Sequence, residues 1–598
     1  MEHQAEPKWN LQHLYRGVDD PQLEKDLNQA QKCATAFRTR FHGNIAGETE
    51  AQELGAALSA YEAIHQQALK PMLYAQLLFS CDSRVAESAA LLAQVREMGS
   101  RIEQETLFFD LELQKIPEEI LATLLQSKVV KCYGHYLRQI RMQIPYACSE
   151  EVEQTLSRKN LSGRDGFVQL FDELTSSLSF SFTMPEESEE RLCSGEELLS
   201  LLYHPEATLR ERAFATFLEG HADLAIPLTA CFNNLLLDHG QEAELRGYPE
   251  LMTPTLIENE TESAMVTQMM AVTEQNRPLA QRYFRLKKEL LGLKSMKNSD
   301  LYAPLGSEGP RYPFTAALEK VREAFAVFSP SFVAMVDDLV TSGRVDVPAR
   351  PGKSPGAYCM GMWPGEAPYV LLNHTGTLRD LSTLAHELGH AIHYQLAEGQ
   401  QLLHYHPTLP LAETASVFGE MLLTRHMLDH EPKQELRIGL LCSKIEEIIA
   451  TTFRQDMLTR FELAIHTRRG DGLLSPEAIC DLWWEENAQL FGEAVSMIPA
   501  YRWGWAYISH FIHARFYCYS YVFGELLVLA LFQRYREEGE AFIPLYEGLL
   551  KGGGGASPQT LLEPLGVNLS DPDFWQKGYD CLATLIDELE GLLVEKDH

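Results

Sequence analysis

Apolar residues recur three and four positions apart along most of this chain, which is the pattern of amphipathic helices. Residues 54–69 and 77–109 keep this spacing over many turns, with no repeat of fixed period. A different pattern follows Pro364 and Pro368, where residues 369–372 read Tyr-Val-Leu-Leu and favour a β-strand. We therefore predict a mainly α-helical protein with a small sheet, to which residues 357–359 could add a neighbouring strand.

A polar, acidic segment interrupts the helical pattern at residues 185–191. At 598 residues the chain is longer than one hydrophobic core usually supports, so at least two domains are expected. We interpret the polar segment as a solvated linker and predict an N-terminal helical lobe over residues 1–190. Residues 191–598 then form the catalytic domain, because every candidate for chemistry lies there.

Residues 386–390, His-Glu-Leu-Gly-His, fall within one of the predicted helices. Residues 377–380 are typical of a helix cap, and Gly399 indicates where that helix ends. Side chains four positions apart lie one turn above the other on a helix, so His386 and His390 can bind a single metal ion.

The residue types in this segment indicate a hydrolytic zinc site. Neutral imidazoles suit Zn²⁺, and the metal lowers the pKa of a bound water to about 7, so the carboxylate of Glu387 can take its proton. A catalytic site of this kind needs a third protein ligand and leaves the fourth position to water. We expect one Zn²⁺ per chain.

Several residues downstream were considered as the third ligand. The metzincin pattern requires Gly at position 393 and His at position 396, but this chain has His393 and Leu396, which excludes that class. His404 and His406 lie in the turn predicted to follow the helix.

Glu413 is the better candidate for the third ligand. A new helix is predicted to begin near Pro410, and the short reversal before it would let that helix run back beside the first. Glu420 lies two turns beyond Glu413 on the same face and could accept a hydrogen bond from a ligating histidine. The alternative for Glu420 is a solvated charge on the helix surface.

Together these segments resemble the metal site of the thimet oligopeptidase family, and most closely its oligoendopeptidase F branch. The resemblance rests on residues 386–390 followed by Leu-Ala-Glu-Thr-Ala-Ser at 411–416. Residues 369–377 resemble the strand and turn before the zinc helix, residues 9–15 the usual opening, and residues 510–521 the C-terminal His/Tyr segment. The similarity covers nearly the whole chain.

This resemblance implies a mainly α, two-lobed helical metallopeptidase with a deep central channel and a small β-sheet next to the zinc helix. Its N-terminal lobe, residues 1–190, would be the oligopeptidase F N-terminal region. The implied activity is zinc-dependent hydrolysis of internal bonds in short, unstructured peptides, with His386, His390 and Glu413 as metal ligands and Glu387 as the catalytic base.

The His/Tyr segment supplies candidates for stabilising the oxyanion of the transition state. Hydrogen-bond donors aimed at such a charge contribute about 3–4 kcal/mol each in well-studied enzymes. On a helix Tyr517 and Tyr521 would share a face while Tyr519 points elsewhere. The resemblance favours His510 with one or two of Tyr517 and Tyr519 as catalytic residues, and the alternative is an aromatic stripe in the core.

Charge and composition restrict the partners. The net charge of −33, from 51 basic and 84 acidic residues, disfavours nucleic acids and anionic membranes. The longest apolar run, residues 521–532, is too short to span a bilayer. Residues 1–10 lack the pattern of a secretory signal, and the 11 cysteines include no Cys-x-x-Cys pair, so we expect reduced thiols and a cytoplasmic location.

Two other functions remain open from the sequence. One is a zinc dipeptidyl carboxypeptidase-like exopeptidase, which would share a helical fold and a site of two His and one Glu. The other is a non-catalytic helical binding protein. The sequence does not determine the oligomeric state or the preferred cleavage site.

Overall fold

A computed structural model describes residues 6–45, 50–185, 187–305 and 310–596 of the chain. It confirms the predicted mainly helical fold with a small sheet next to the helix of residues 386–390. In chain order the α-helices are α1 Pro21–Phe41, α2 Ala51–Cys81, α3 Ala86–Gln114, α4 Glu118–Leu124, α5 Lys128–Lys131, α6 Gly134–Met142, α7 Glu150–Asn160, α8 Arg164–Ser176 and α9 Gly195–Ser200.

The chain continues with α10 Ala207–Ala222, α11 Ala225–Arg246, α12 Thr253–Glu258, α13 Ser263–Gln275, α14 Arg277–Leu290, α15 Phe314–Phe328, α16 Pro330–Thr341, α17 Leu378–Leu396, α18 Leu409–Ala412 and α19 Thr414–His430. It ends with α20 Gln434–Thr451, α21 Phe453–Gly470, α22 Pro476–Phe491, α23 His510–His513, α24 Tyr519–Glu538, α25 Ile543–Lys551, α26 Pro558–Leu562 and α27 Pro572–Lys596. Short 3₁₀ helices connect several of these elements, among them Ala397–Gly399 and Pro499–Tyr507.

Among the described residues, five strands form two small sheets. Strands β1 Phe180–Phe182 and β2 Arg191–Cys193 pair antiparallel, whereas β3 Val345–Pro348, β4 Tyr358–Met360 and β5 Tyr369–His374 form a mixed sheet in the order β3-β5-β4. The predicted strand at residues 369–372 is therefore the central strand of its sheet, and the predicted neighbour at 357–359 is an edge strand.

The chain divides into two compact units. The first unit comprises Met1–Pro145, Gly309–His430 and Arg534–Asn568, and the second comprises Tyr146–Glu308, Glu431–Gln533 and Leu569–His598. The units interleave along the chain because each is assembled from three separate segments. The division of the chain into an N-terminal lobe, residues 1–190, and a catalytic domain, residues 191–598, remains a prediction.

In the first unit, the segment that opens the chain packs against the mixed sheet. The Trp9 indole N–H donates to the carbonyl oxygens of Val370 and Arg344, at 2.8 and 3.1 Å. Tyr15 and Tyr369 are buried in the same hydrophobic cluster. These contacts explain why the first residues of the chain are aromatic and apolar where they pack beside β5.

Two sequence predictions need correction. Residues 77–109 do not form one helix, because Asp82 is extended and its carboxylate accepts the backbone N–H of Arg84 at 3.0 Å, which ends α2 before α3 begins. The polar segment 185–191, of which Glu186 lies outside the described residues, connects the paired strands β1 and β2. Residues 185 and 187–190 are exposed, as expected of a solvated segment, but the segment joins two paired strands inside the second unit and is not a linker between domains.

Across the described ranges, no helix has both the length and the apolar composition needed to cross a membrane. The long apolar run at residues 521–532 lies within α24, where Glu525 is buried with it.

Candidate active site

The helix that carries residues 386–390 begins with the predicted cap. The Thr377 side chain accepts the backbone N–H of Asp380 at 3.1 Å, and the Asp380 carboxylate accepts the backbone N–H of Thr377 at 3.0 Å. This reciprocal capping box fixes where α17 starts. Its apolar stripe is no more than 1% exposed and consists of Leu381, Leu384, Leu388 and Ile392. His386 and His390 consequently lie on a neighbouring, half-buried face.

Glycines allow α17 and α19 to approach closely. A Cβ atom on Gly389 would lie 2.5 Å from the carbonyl oxygen of Ala415, and one on Gly419 would lie 3.1 Å from that of Ala385. Any side chain at Gly389 would therefore separate the two backbones. The predicted reversal before Pro410 is confirmed, and the close approach brings the start of α19 beside the two histidines.

Three side chains meet at this place. The Nε2 atoms of His386 and His390 are 3.2 Å apart, and the Glu413 Oε2 atom lies 3.4 and 3.5 Å from them. A tetrahedral zinc ion with bonds of 2.0–2.1 Å separates its ligand atoms by about 3.3–3.4 Å. The triangle therefore fits zinc. Within the described ranges these residues form the only group of His, Cys, Asp or Glu side chains with metal-binding spacing.

Each of the three has a further partner that orients it. The Glu420 carboxylate, 2.5 Å from His386 Nδ1, accepts that N–H, and Glu420 is buried, so the surface-charge alternative is wrong. The Ala412 carbonyl accepts a hydrogen bond from His390. The Ser416 hydroxyl donates to Glu413 Oε2 at 2.7 Å. Such partners fix the ring orientation and basicity of metal ligands.

Glu387 faces a pocket on the same helix. This pocket has a volume of about 250 Å³. Its wall includes both histidines and residues of strand β4. The Cys359 backbone N–H donates to the Glu387 carboxylate. Burial raises the pKa of Glu387 to about 7, despite the opposing charge of His386. The group can therefore exchange a proton near neutral pH.

The two histidines differ electrostatically. Burial lowers the pKa of His390 to about 4, so this imidazole is neutral at pH 7. Burial acts in the same direction on His386, but the hydrogen bond and charge of Glu420 outweigh it and raise its pKa to about 9. A metal ion must displace a proton from this pair, which makes metal binding pH-dependent.

The other histidines near the turn lie outside the triangle of His386, His390 and Glu413. His404 is buried, and its Nε2 atom lies 3.1 Å from the Cys132 carbonyl oxygen. His406 packs against Tyr394 and Tyr405. His393 is buried in the wall of the pocket that Glu387 faces. None of these histidines belongs to the metal-binding group.

The His/Tyr segment lies in the second unit. His510 Nε2 is 3.3 Å from the Tyr521 hydroxyl, and the Tyr517 ring centroid lies 5.8 Å from that of His510 and 5.1 Å from that of Tyr521. These three side chains form one cluster. Burial, followed by the positive charge of Arg454, lowers the pKa of His510, which favours its neutral form.

Tyr519 lies outside this cluster, so its expected role as an oxyanion donor needs a correction. Its side chain is fully buried, and its hydroxyl accepts the Asn259 side-chain N–H at 2.8 Å and lies 3.0 Å from the Thr261 hydroxyl. A hydroxyl held in this way is unavailable to a substrate. The geometry therefore speaks against Tyr519 as an oxyanion donor, whereas Tyr521 lies in the cluster beside Tyr517, the residue with which it was expected to share a face.

A strained residue precedes Tyr517. Phe516 has a φ of 52°, which is rare for a bulky residue, and its backbone N–H donates to the buried Glu462 carboxylate at 2.8 Å. This turn separates α23 from α24. The Phe516–Glu462 contact could not be predicted from local sequence patterns, because the two residues are 54 positions apart.

Comparison with known proteins agrees with this geometry. The sequence profile described as Peptidase family M3 matches residues 200–581, and one described as Oligopeptidase F matches residues 112–180. Oligopeptidase PepF of Bacillus subtilis is 24% identical over 99% of this chain and 88% of its own length. The plasmid-encoded oligoendopeptidase F of Lactococcus lactis subsp. cremoris is 24% identical over 99% and 98%.

Solved structures share the fold. A crystal structure of a peptidase from Chlamydophila abortus has a TM-score of 0.88 at 24% identity and covers 98% of this chain and 99% of that one. Oligoendopeptidase F from Enterococcus faecium has a TM-score of 0.72 at 22% identity, over 96% and 98%. The family profile spans well over half of the chain and includes the three converging side chains. The chain therefore belongs to peptidase family M3.

Proposed function

We propose that this protein is a zinc-dependent endopeptidase that hydrolyses internal bonds of short, unstructured peptides. The observation that carries the proposal is the triangle of His386, His390 and Glu413 atoms, 3.2–3.5 Å apart, with Glu387 in the same pocket. The names of the relatives, oligopeptidase and oligoendopeptidase, support peptides as the substrate.

The three side chains would hold one Zn²⁺, which supplies a Lewis acid that polarises the scissile carbonyl and makes water acidic enough to react near pH 7. Glu387 acts as the base. Its carboxylate takes a proton from the attacking water and passes it to the leaving amine, a role that a pKa of about 7 suits.

Strand β4 is the part of the fold that fits an extended peptide. It is an edge strand that lines the pocket beside Glu387, whereas β5 pairs on both sides and has no free edge for a substrate. Main-chain hydrogen bonds to an edge strand hold a peptide extended with little dependence on its sequence.

We assign oxyanion stabilisation to the cluster of His510, Tyr517 and Tyr521. The hydroxyl and imidazole N–H groups of this cluster are suitable donors to a developing negative charge. All eleven cysteines are free thiols that form no disulfide, which supports our expectation of a reducing compartment such as the cytoplasm.

Product analysis tests the proposal. Purified protein is incubated with peptides of 5 to 30 residues, each prepared with both ends blocked and with both ends free, and the fragments are read by mass spectrometry, with a Glu387→Gln variant as the control. Internal cleavage of the short peptides by the parent alone is the expected result. Cleavage restricted to unblocked C-terminal dipeptides would favour the exopeptidase, and binding without cleavage would favour the helical binding protein.

A further inference from the structure

Strained backbone is concentrated around the His/Tyr segment of the second unit. Among the described residues, Glu260 and Phe516 are the only ones other than glycine with a positive φ, and each has a φ of 52°. Glu260 lies between Asn259 and Thr261, whose side chains contact the Tyr519 hydroxyl. A residue in this conformation persists only where its surroundings hold it, and such strain is concentrated at functional sites.

The cluster of His510, Tyr517 and Tyr521 requires the chain to turn back on itself. His510 and Tyr521 are 11 positions apart, so one continuous helix would separate them by about 16 Å along its axis. The His510 Nε2 atom nevertheless lies 3.3 Å from the Tyr521 hydroxyl. The chain turns between α23 and α24, and Phe516 is the residue of this turn with a positive φ. The turn at Phe516 is therefore part of the geometry that forms the cluster.

Side chains from several helices hold this turn. The Phe516 ring is fully buried, and its centroid lies 4.8 Å from that of His466 and 5.5 Å from that of His239. The Thr255 hydroxyl donates to the carbonyl oxygen of Arg515 at 3.1 Å. All of these residues belong to the second unit, as do those of the cluster. The surroundings thus fix the strained residue through both its ring and its backbone.

Glu462 makes the polar contact to the strained residue itself. It is 1% exposed, and its carboxyl group accepts the Phe516 backbone N–H at 2.8 Å. Its Oε2 atom is buried and has no hydrogen-bond partner among the described residues. Burying a carboxyl group with so few partners is costly, so stability alone is a poor reason for Glu at this position. What the carboxyl group provides there is the hydrogen bond to the turn.

We propose that Glu462 is a positioning residue, which holds the turn at Phe516 and thereby places Tyr517 in the cluster. Thr255 assists by holding the residue before Phe516. The inference rests on the proposed function, which assigns oxyanion stabilisation to this cluster. Glu462 acts through Tyr517 and does not touch the substrate.

Two variants test whether the hydrogen-bond acceptor matters. Glu462→Met keeps a similar side-chain volume and removes the acceptor, whereas Glu462→Gln keeps an oxygen that can accept the Phe516 N–H. For Glu462→Met we expect kcat to fall about 10- to 100-fold with little change in KM, because an oxyanion donor acts in the transition state and a misplacement of about 1 Å can cost about 100-fold. Glu462→Gln should retain most of the parental kcat. Zinc content should be unchanged in both variants.

A double-mutant cycle shows whether Glu462 acts through Tyr517. If it does, the variant with both Glu462→Met and Tyr517→Phe should have the kcat of the slower single variant, whereas independent losses would multiply. Tyr579→Phe is the matched control, because it also removes a buried hydrogen bond of the second unit, to the Thr273 hydroxyl at 2.9 Å. It should lower the unfolding temperature, keep the parental kcat and leave the effect of Tyr517→Phe unchanged.

Each kinetic outcome decides the inference. Parental kcat in Glu462→Met, an equal loss of kcat in Glu462→Gln, or a loss that multiplies with that of Tyr517→Phe would overturn it. If Glu462→Met does not fold, Thr255→Val replaces it in the cycle, where a smaller loss that does not multiply with that of Tyr517→Phe is expected. Parental kcat in Thr255→Val, or losses that multiply, would then overturn the role of the turn.

Hydrogen exchange separates this inference from the proposed function. If the parent cleaves no peptide, the proposed function has failed, but amide exchange of residues 515–521 measured by mass spectrometry still reports whether Glu462 holds the turn. Faster exchange of this segment in Glu462→Met than in Glu462→Gln supports the inference. Equal exchange in the two variants overturns it.

Discussion

Gly389 allows the metal-binding helices to meet, so adding a single methyl group there should open the site. In Gly389→Ala the new Cβ would lie 2.5 Å from the Ala415 carbonyl oxygen and 2.6 Å from the Ser416 Cα, where ordinary contact begins at 3.4 Å. Both obstacles are backbone atoms, which cannot rotate away. The helices must therefore separate by about 0.9 Å, the difference between 3.4 and 2.5 Å.

That displacement is large on the scale of metal coordination. Ligand distances in metal sites hold within about 0.2 Å of their ideal values, so a shift of Glu413 by several tenths of an ångström weakens or breaks its bond. Loss of an orienting partner alone costs about 10- to 100-fold in metal affinity, and we expect at least this loss. Overpacking should also lower the free energy of unfolding by about 1–3 kcal/mol.

The assay is zinc competition against a chromophoric chelator, with thermal unfolding of the metal-free proteins measured in parallel. Gly439→Ala is the control, because Gly439 also lies within a helix but its Cβ would meet nothing within 4 Å. That variant should bind zinc normally and gain about 0.5–1 kcal/mol in unfolding free energy. Parental zinc affinity in Gly389→Ala would refute the close-packing argument.

Three further predictions concern other parts of the molecule. Glu420→Gln should weaken zinc binding about 10- to 100-fold in the same competition assay, because the His386 ring loses its charged acceptor. Tyr517→Phe should lower kcat and kcat/KM together in peptide hydrolysis, whereas Tyr519→Phe should cost about 1 kcal/mol of unfolding free energy with little change in rate. Glu462→Gln should remove one contribution to the pH dependence of stability: burial raises the pKa of Glu462 to about 8, so this carboxyl takes up a proton on folding above about pH 4.5. By itself it makes the parent's stability fall by about 1.4 kcal/mol per pH unit toward pH 8, a contribution that the variant lacks.

Opposite results would count against each argument. Unchanged zinc affinity in Glu420→Gln would mean that the His386 ring is oriented without its partner. If Tyr519→Phe hydrolyses peptides slowly but unfolds like the parent, the Tyr519 hydroxyl takes part in the reaction. For the pH prediction, denaturant titrations at pH 5, 6.5 and 8 give the slope, and equal slopes in the parent and Glu462→Gln would show that this carboxyl is not the source.

Local signals made much of the metal site predictable. The cap at Thr377 and the apolar spacing after it fixed the helix, and the four-residue interval fixed the common face of His386 and His390. The seven-residue interval between Glu413 and Glu420 likewise placed both carboxylates on one helix face. In each case the decisive contact is set by helix periodicity, which a sequence displays directly.

Contacts between distant segments were not predictable in the same way. The order β3-β5-β4, which makes β4 and not β5 the edge strand, depends on pairing across the sheet. The hydrogen bonds that hold the Tyr519 hydroxyl against Asn259 and Thr261 join residues 260 and 258 positions apart in the chain. Such features arise from tertiary packing, for which a single sequence carries no periodic signal.

The central claim is that His386, His390 and Glu413 hold the metal while Glu387 performs proton transfer. It is tested most directly by measuring zinc content by mass spectrometry and peptide hydrolysis on the same samples of the parent, Glu413→Ala and Glu387→Gln. The account predicts one zinc per parent chain, loss of both zinc and activity in Glu413→Ala, and retained zinc with at least about 100-fold slower hydrolysis in Glu387→Gln. Full zinc and parental activity in Glu413→Ala, or a parental rate in Glu387→Gln, would contradict it.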